Sequence, residues 1–378
     1  MANSKNGETY KPSIVPRSMA RNNNKMTKRR SAKIEPAVTT LRFPVTTVVG
    51  SGQSSSYIDL SQCASLISRR FYRQGLSWAV RSIKILASSG DPTNRAQGFV
   101  AVSKLPTSWV MSGSWKKGFS TWSRMNDEAL EESESIRPRF LDFKIFADSG
   151  HHAVGFEGNL LPLSFDGGVA TPGEWESSKL SIPYGSTSPG NSVDREVIAV
   201  GANYPGVSPV TGANAVSLIE GYAASRGLPN IVDPNVPDDS ADAEGTAPAN
   251  WMAATMNKGT DQTEDVLDNM ITENNQSPYP FENGEIPGAP GTYWTDTQYP
   301  GGANQLAGLA FHDDAYITSS TIGGTTRLQG GTFPCGLMKI VVLNTTDASG
   351  VAIPIDYSVQ VNWCPVLIVD IFVPMQDM

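Results

Sequence analysis

Nine basic side chains fall within the first thirty-three residues: Lys5, Lys11, Arg17, Arg21, Lys25, Lys28, Arg29, Arg30 and Lys33, with Glu8 as the only acid among them. Cations at this density, set among Asn and Ser with few large apolar side chains, can neutralise phosphates and release their counterions whatever the base sequence. The stretch is +8 within a chain of −8, which leaves −16 on the remainder. A basic arm on an acidic body reads as a chain that meets a polyanion on one side and water on the other. Lys28, Arg29 and Arg30 also read as a nuclear-import signal, and the whole stretch as a solubilising tail. Up to about residue 36 the segment has too little apolar surface to offset the entropy of ordering it, so a disordered arm is expected.

The other chemistry-bearing residues are less well arranged. Between residues 228 and 301, Asp233, Asp238, Asp239, Asp242, Glu244, Asp261, Glu264, Asp265, Asp268, Glu273, Glu282 and Glu285 face one base, Lys258. An exposed acidic insertion is one reading, and calcium held between subunits is another. Asp238, Ser240, Asp242 and Glu244, ahead of Gly245, only approximate an oxygen-ligand loop. His151 and His152 are adjacent, and no further ligand lies at metal-binding spacing, so they read as structural. His312 adjoins Asp313 and Asp314, but adjacent side chains do not ordinarily orient one another as a dyad. Cys63, Cys335 and Cys364 are odd in number and scattered, and read as reduced, buried thiols of a cytosolic or nuclear setting. There is no G-x-x-x-x-G-K-[ST] loop, no H-E-x-x-H helix and no G-x-S-x-G elbow. The expectation is a protein that is not an enzyme, with no catalytic residue, metal or cofactor.

A second basic group, Arg69, Arg70, Arg73, Arg81 and Lys84, reads as a nucleic-acid contact, a solvated face or a subunit salt-bridge patch. The elements that must carry these residues are mostly strands. Charged residues make up only 17% of the chain, while Gly (35) and Pro (26) are plentiful, a mixture that fits an all-β protein rich in turns. Strands are expected in Leu41–Val49, at Tyr57–Leu60, in Leu76–Leu86 (its alternation broken after Val80) and in Gln97–Val102. Further strands are expected in Trp175–Ile182, Glu196–Val200, Ala315–Thr321, Leu337–Leu343, Tyr357–Trp363 and Val366–Phe372. Gly323–Gly324 and Gly330–Gly331 read as loop punctuation. A helical turn is expected over Ala64–Tyr72, a helix over Asn214–Ser225, and an amphipathic helix near Thr263–Thr272. No run of 18 apolar residues suggests a membrane span, and no apolar signal-peptide core is seen at the N-terminus.

The most patterned stretch runs from Leu105 to Ala147. Trp115, Phe119 and Trp122 share one helical face, continued by Met125, Ala129 and Leu130; Leu141, Phe143, Ile145 and Ala147 then alternate as on a strand. These rings read as core, in a helix that plugs the end or flank of a sheet. The words PTSWVMSGSWKKGFSTW, IRPRFLDFKIFAD, GNLLPLSFDGG and PGEWESSKLSIP, between Leu105 and Pro183, resemble the capsid proteins of Rep-encoding circular single-stranded DNA (CRESS-DNA) viruses.

That resemblance implies a single jelly roll, an eight-stranded Greek-key sandwich. Residues 37–378 would form it, with helix-bearing insertions and an acidic exposed insertion at about 228–301, behind the basic arm 1–36. It implies many copies assembling into an icosahedral virion and packaging single-stranded nucleic acid, DNA by the resemblance, through the nine arm cations. Assembly would take place in the host nucleus or cytoplasm, with a host receptor as a further partner and no membrane. The rival expectation is a β-sandwich glycan-binding or adhesive module, motivated by the aromatic loops around Tyr279, Phe281, Tyr293, Trp294 and Tyr299.

Overall fold

The computed structural model describes residues 38–48, 53–88, 97–131, 142–184, 191–203, 214–225, 251, 252, 255, 308–318, 325–344, 355–363 and 369–370, all within the unit Ala37–Met378. Its first strands are β1 (Thr40–Arg42), β2 (Thr46–Val48) and β3 (Gln53–Asp59), followed by helix α1 (Leu60–Ser68) and strands β4 (Leu76–Ser88) and β5 (Gln97–Lys104). Helices α2 (Trp109–Leu130) and α3 (Ser149–Val154) come next, then β6 (Lys179–Tyr184), β7 (Asn191–Ile198), β8 (Asn214–Ser217) and helix α4 (Leu218–Ser225). The chain returns to β structure with β9 (Ala310–Thr318), β10 (Thr325–Pro334), β11 (Leu337–Asn344), β12 (Ile355–Trp363) and β13 (Val369–Asp370).

The described chain is mostly β, an all-β sandwich with few helices. One sheet runs β1-β12-β4-β10, with β2 on β12 and β13 on β4; the other runs β3-β11-β5-β9, and every pairing in both is antiparallel. Apart from β5 and β9, the main strands alternate between the two sheets along the chain. Inward-facing side chains of both sheets form one core, including Leu41, Ile58, Trp78, Ile83, Val100, Val102, Phe333, Ile340, Val359 and Trp363. Alternation explains it: Leu41 and Phe43 are buried while Arg42 between them is exposed.

The broken alternation of β4 is a bulge. Trp78 and Val80 face the core before it, and Ile83 and Ile85 after it. Against β12 the register slips at this point, Asn362 pairing with Ser82 but Trp363 with Val80. On the other side stands Gly330, where an added Cβ would lie 2.2 Å from the Arg81 carbonyl oxygen and 2.3 Å from that of Val80. Gly330 and Gly331 therefore sit inside a strand, contrary to the expectation of a loop: the bulged backbone leaves no room for a side chain at Gly330, and the His312 ring crowds Gly331.

The excursion between β5 and β9 builds a third sheet, β6-β7-β8, whose β7 and β8 are parallel. A second apolar core joins it to α2 and α4 through Trp122, Phe143, Ile182, Val197, Leu218 and Ile219. The aromatic face of α2 is core, as expected: Trp115 stacks on Phe119 at 5.2 Å, and the Phe143 ring lies 5.5 Å from Trp122. Two expected elements differ. Asn214–Ser217 is a strand rather than the first turn of the helix, because β7 offers it a partner. Residues 142–147 form no strand, making one parallel bridge, Phe146 to Ile198. Within the expected acidic insertion, Trp251 and Met252 are fully buried in this second core. The amphipathic helix near Thr263–Thr272 lies outside the described residues, as does most of Val366–Phe372 beyond β13.

Candidate nucleic-acid interface

The face of the first sheet that points away from the core is cationic and polar. Register places Arg42 opposite Gln360, Gln360 opposite Lys84, and Lys84 opposite Arg327, so one row crosses β1, β12, β4 and β10. Directly opposed residues of antiparallel strands share a face, and the sequence neighbours Leu41, Ile83, Ile85, Leu328, Val359 and Val361 are all buried on the other. The next row is Thr40, Asn362, Ser82 and Gln329, tied by Thr40 Oγ1 donating to Asn362 Oδ1 at 2.9 Å and Asn362 Nδ2 donating to Ser82 Oγ at 3.0 Å. The row on the other side holds Ser358, Leu86 and Thr325. None of these three rows contains an acid. Arg81 is exposed in the adjoining bulge.

Of the second basic group, Arg81 and Lys84 thus belong to this face. Arg69, Arg70 and Arg73 are exposed in the turn between α1 and β4, with Arg69 as the left-handed C-cap of α1, and they are not part of the row. Arg42 and Arg327 were not singled out from sequence. Only strand pairing brings residues 42, 84 and 327 side by side. Lys5, Lys11, Arg17, Arg21, Lys25, Lys28, Arg29, Arg30 and Lys33 lie outside the described residues. So do the acidic residues of 228–301, the aromatic residues Tyr279, Phe281, Tyr293, Trp294 and Tyr299, and Cys364.

The remaining candidates are structural where they are described. His151 Nδ1 accepts the Ala147 N–H at 3.0 Å, and its Nε2 bonds Asn159 Oδ1 at 2.8 Å, an arrangement that only the neutral Nε2–H tautomer satisfies. Burial pushes His151 down to about 4, against the opposing pull of Asn159 and Asp148. Asp148 caps α3, accepts from Tyr57 at 2.9 Å, and takes Lys339 Nζ at 2.9 Å; burial works against its charge, but Lys339 and the His151 N–H more than offset this and hold it below the usual carboxylate range. His152 Nε2 pairs with Glu196 at 2.7 Å, both fully buried. His312 and Asp313 do not form a dyad: His312 bonds the Gln329 carbonyl at 3.1 Å and Asp313 accepts the Gln329 N–H at 2.7 Å, tying β9 of one sheet to β10 of the other. Cys63 and Cys335 are free and buried, and burial raises both thiols. Among the described residues no acid, histidine or cysteine cluster fits a metal ion, and no helix is long and apolar enough to cross a membrane.

The chain matches no family model, and neither the curated proteins nor the solved structures compared with it gave a match.

Proposed function

We propose that this chain is a viral coat protein whose sandwich is a jelly roll. Many copies would build a closed icosahedral shell around single-stranded nucleic acid, gripped by the basic arm. The observation that supports this reading best is strand order. Eight antiparallel strands deal out as β1-β12-β4-β10 and β3-β11-β5-β9, the arrangement of two interleaved Greek keys. Jelly rolls of that kind form viral capsid and lectin domains. The charge division, +8 on residues 1–33 and −16 beyond, favours the coat-protein branch, as does the resemblance of the Leu105–Pro183 words to circular single-stranded DNA virus capsids.

The outer face of the second sheet supports association between copies. Leu343, Phe99 and Tyr316 form one cross-strand row, with Tyr316 72% exposed; Phe311, five residues away on the same strand, is 62% exposed. Large apolar side chains left in water in a group are the usual mark of a surface that a partner covers. The same row favours the second reading, a glycan-binding module, because the edge-to-face Phe99–Tyr316 pair leaves aromatic surface in water on which a sugar could stack.

Electron microscopy of the full-length protein across salt and pH tests the proposal. Closed particles are expected; monomers or small oligomers in every condition overturn it. Deletion of residues 1–33 is expected to lower the nucleic acid retained and flatten its salt dependence. Tyr316→Ala separates the two readings: impaired assembly supports the coat protein, whereas a protein that stays monomeric and loses glycan binding supports the module.

A further inference from the structure

The fold places Lys84 and Arg327 directly opposite each other on adjoining strands, with Arg42 two strands further along the same row and Arg81 in the bulge beside it. Like charges so opposed destabilise a sheet. Among the described residues no carboxylate pairs with Arg42, Arg81, Lys84 or Arg327. Asp356 shares the face, but it stands four residues along β12 from Gln360, and its carboxylate accepts from Thr47 at 2.5 Å. The strip spans three strand spacings, roughly 14 Å, edged by the hydroxyls and amides of Thr40, Ser82, Asn362 and Gln329.

We propose that this strip is a second nucleic-acid contact, fixed on the folded body, that takes the phosphodiester backbone of a single strand along Arg42, Lys84, Arg327 and Arg81. The inference rests on the coat-protein reading and adds to it a site in the wall itself. The chemistry points to phosphate rather than base. Guanidinium and ammonium groups stand ready to meet phosphate oxygens, whereas the three central rows offer no aromatic ring on which a base would stack. Binding here is therefore independent of sequence. A polyanion also relieves the Lys84–Arg327 repulsion that the described chain leaves uncompensated.

Two measurements test it, both on the full-length chain. In the first, purified particles are crosslinked by ultraviolet light and the attached peptides identified; adducts are expected on the peptides that carry Arg42, Lys84 and Arg327, and the sugar of the bound nucleotide tells DNA from RNA. In the second, binding of a fluorescent oligothymidylate is followed against salt. The combined Arg42→Gln, Lys84→Gln and Arg327→Gln variant is expected to lower the log–log salt slope by about 2, three contacts at about 0.7 each for a single strand. An unchanged slope in a variant that still assembles overturns the strip and leaves the coat-protein reading standing. Should the variant fail to fold, crosslinks confined to the arm of the unmodified particle overturn it instead. Absence of both particles and bound nucleic acid in the unmodified protein overturns the strip together with the reading it rests on.

Discussion

Gln74 holds Ile145 by both of its backbone groups: the Ile145 N–H donates to Gln74 Oε1 at 2.7 Å, and Gln74 Nε2 donates to the Ile145 carbonyl at 3.1 Å. The side-chain amide thus does for Ile145 what a neighbouring strand would do, and it binds the second core to the sandwich. The same Nε2 donates to Asp59 at 3.0 Å, the fully buried carboxylate that caps α1 and also receives the Trp175 indole N–H at 3.1 Å. Gln74→Leu leaves the Ile145 N–H without its partner and removes one donor from a buried carboxylate. At about 1–3 kcal/mol for each group so stranded, the loss is expected near 3 kcal/mol. A urea titration would report it as a lowered midpoint; a midpoint within error of wild type would mean that the clamp carries little of the stability.

Gly330→Ala is expected to destabilise by about 1–3 kcal/mol, because the new methyl meets backbone carbonyls rather than a movable side chain. Gly168→Ala is the control. Its Cβ would find only the Asp166 carboxylate, at 3.6 Å, and its backbone is ordinary. A thermal melt should lower the midpoint for the first variant and hardly move it for the second. Equal shifts would remove the close approach at the bulge as the reason for glycine.

These two sites mark what could be read in the sequence. The alternation of β4 and β12 was plain, and even the break after Val80 was visible, since burial imposes a period of two wherever one face meets a core. Strand β10 was hidden. Its Gly330–Gly331 pair looks like a turn unless one knows that the opposite strand bulges toward it. Residues 142–147 carried the alternation of a strand, and Phe143, Ile145 and Ala147 are indeed buried. What sequence could not tell is that an amide side chain 71 positions away, and not a strand, receives Ile145. The basic row was equally illegible, because Arg42, Lys84 and Arg327 are neighbours only through pairing.

Stability against pH should be shallow in the wild type and steep in one variant. His151 is held down to about 4 from 6.5, so between those values the unfolded chain binds the extra proton, and stability falls as pH falls. Asp142 runs the other way. Burial raises it from 3.8 to about 6, so the folded chain binds the extra proton between those values and gains stability as pH falls. Asp59 and Glu220, also raised chiefly by burial, act in the same direction as Asp142. Asp142→Asn keeps an oxygen for the Gln74 N–H at 3.2 Å but deletes the offset. Urea midpoints from pH 6.5 down to 4 should then drop more steeply than in wild type. Parallel profiles would show that the two groups do not oppose each other.

The facing cations Lys84 and Arg327 lead to a prediction with opposite signs in two assays. If their pairing is repulsive, Lys84→Gln and Arg327→Gln should each raise the stability of the protein free of nucleic acid. The gain is limited to a few tenths of a kcal/mol, at most about 1, the range for directly opposed residues. It should shrink in 1 M salt, where the screening length is about 3 Å. Each substitution relieves the same repulsion, so the double variant should gain less than the sum of the two. Both should nevertheless bind single strands more weakly. Urea midpoints at low and high salt, set beside the binding curves, decide the matter. A variant that loses stability and binding together would mark Lys84 as a support of the sheet; stability rising while binding falls identifies a charge kept for what it holds.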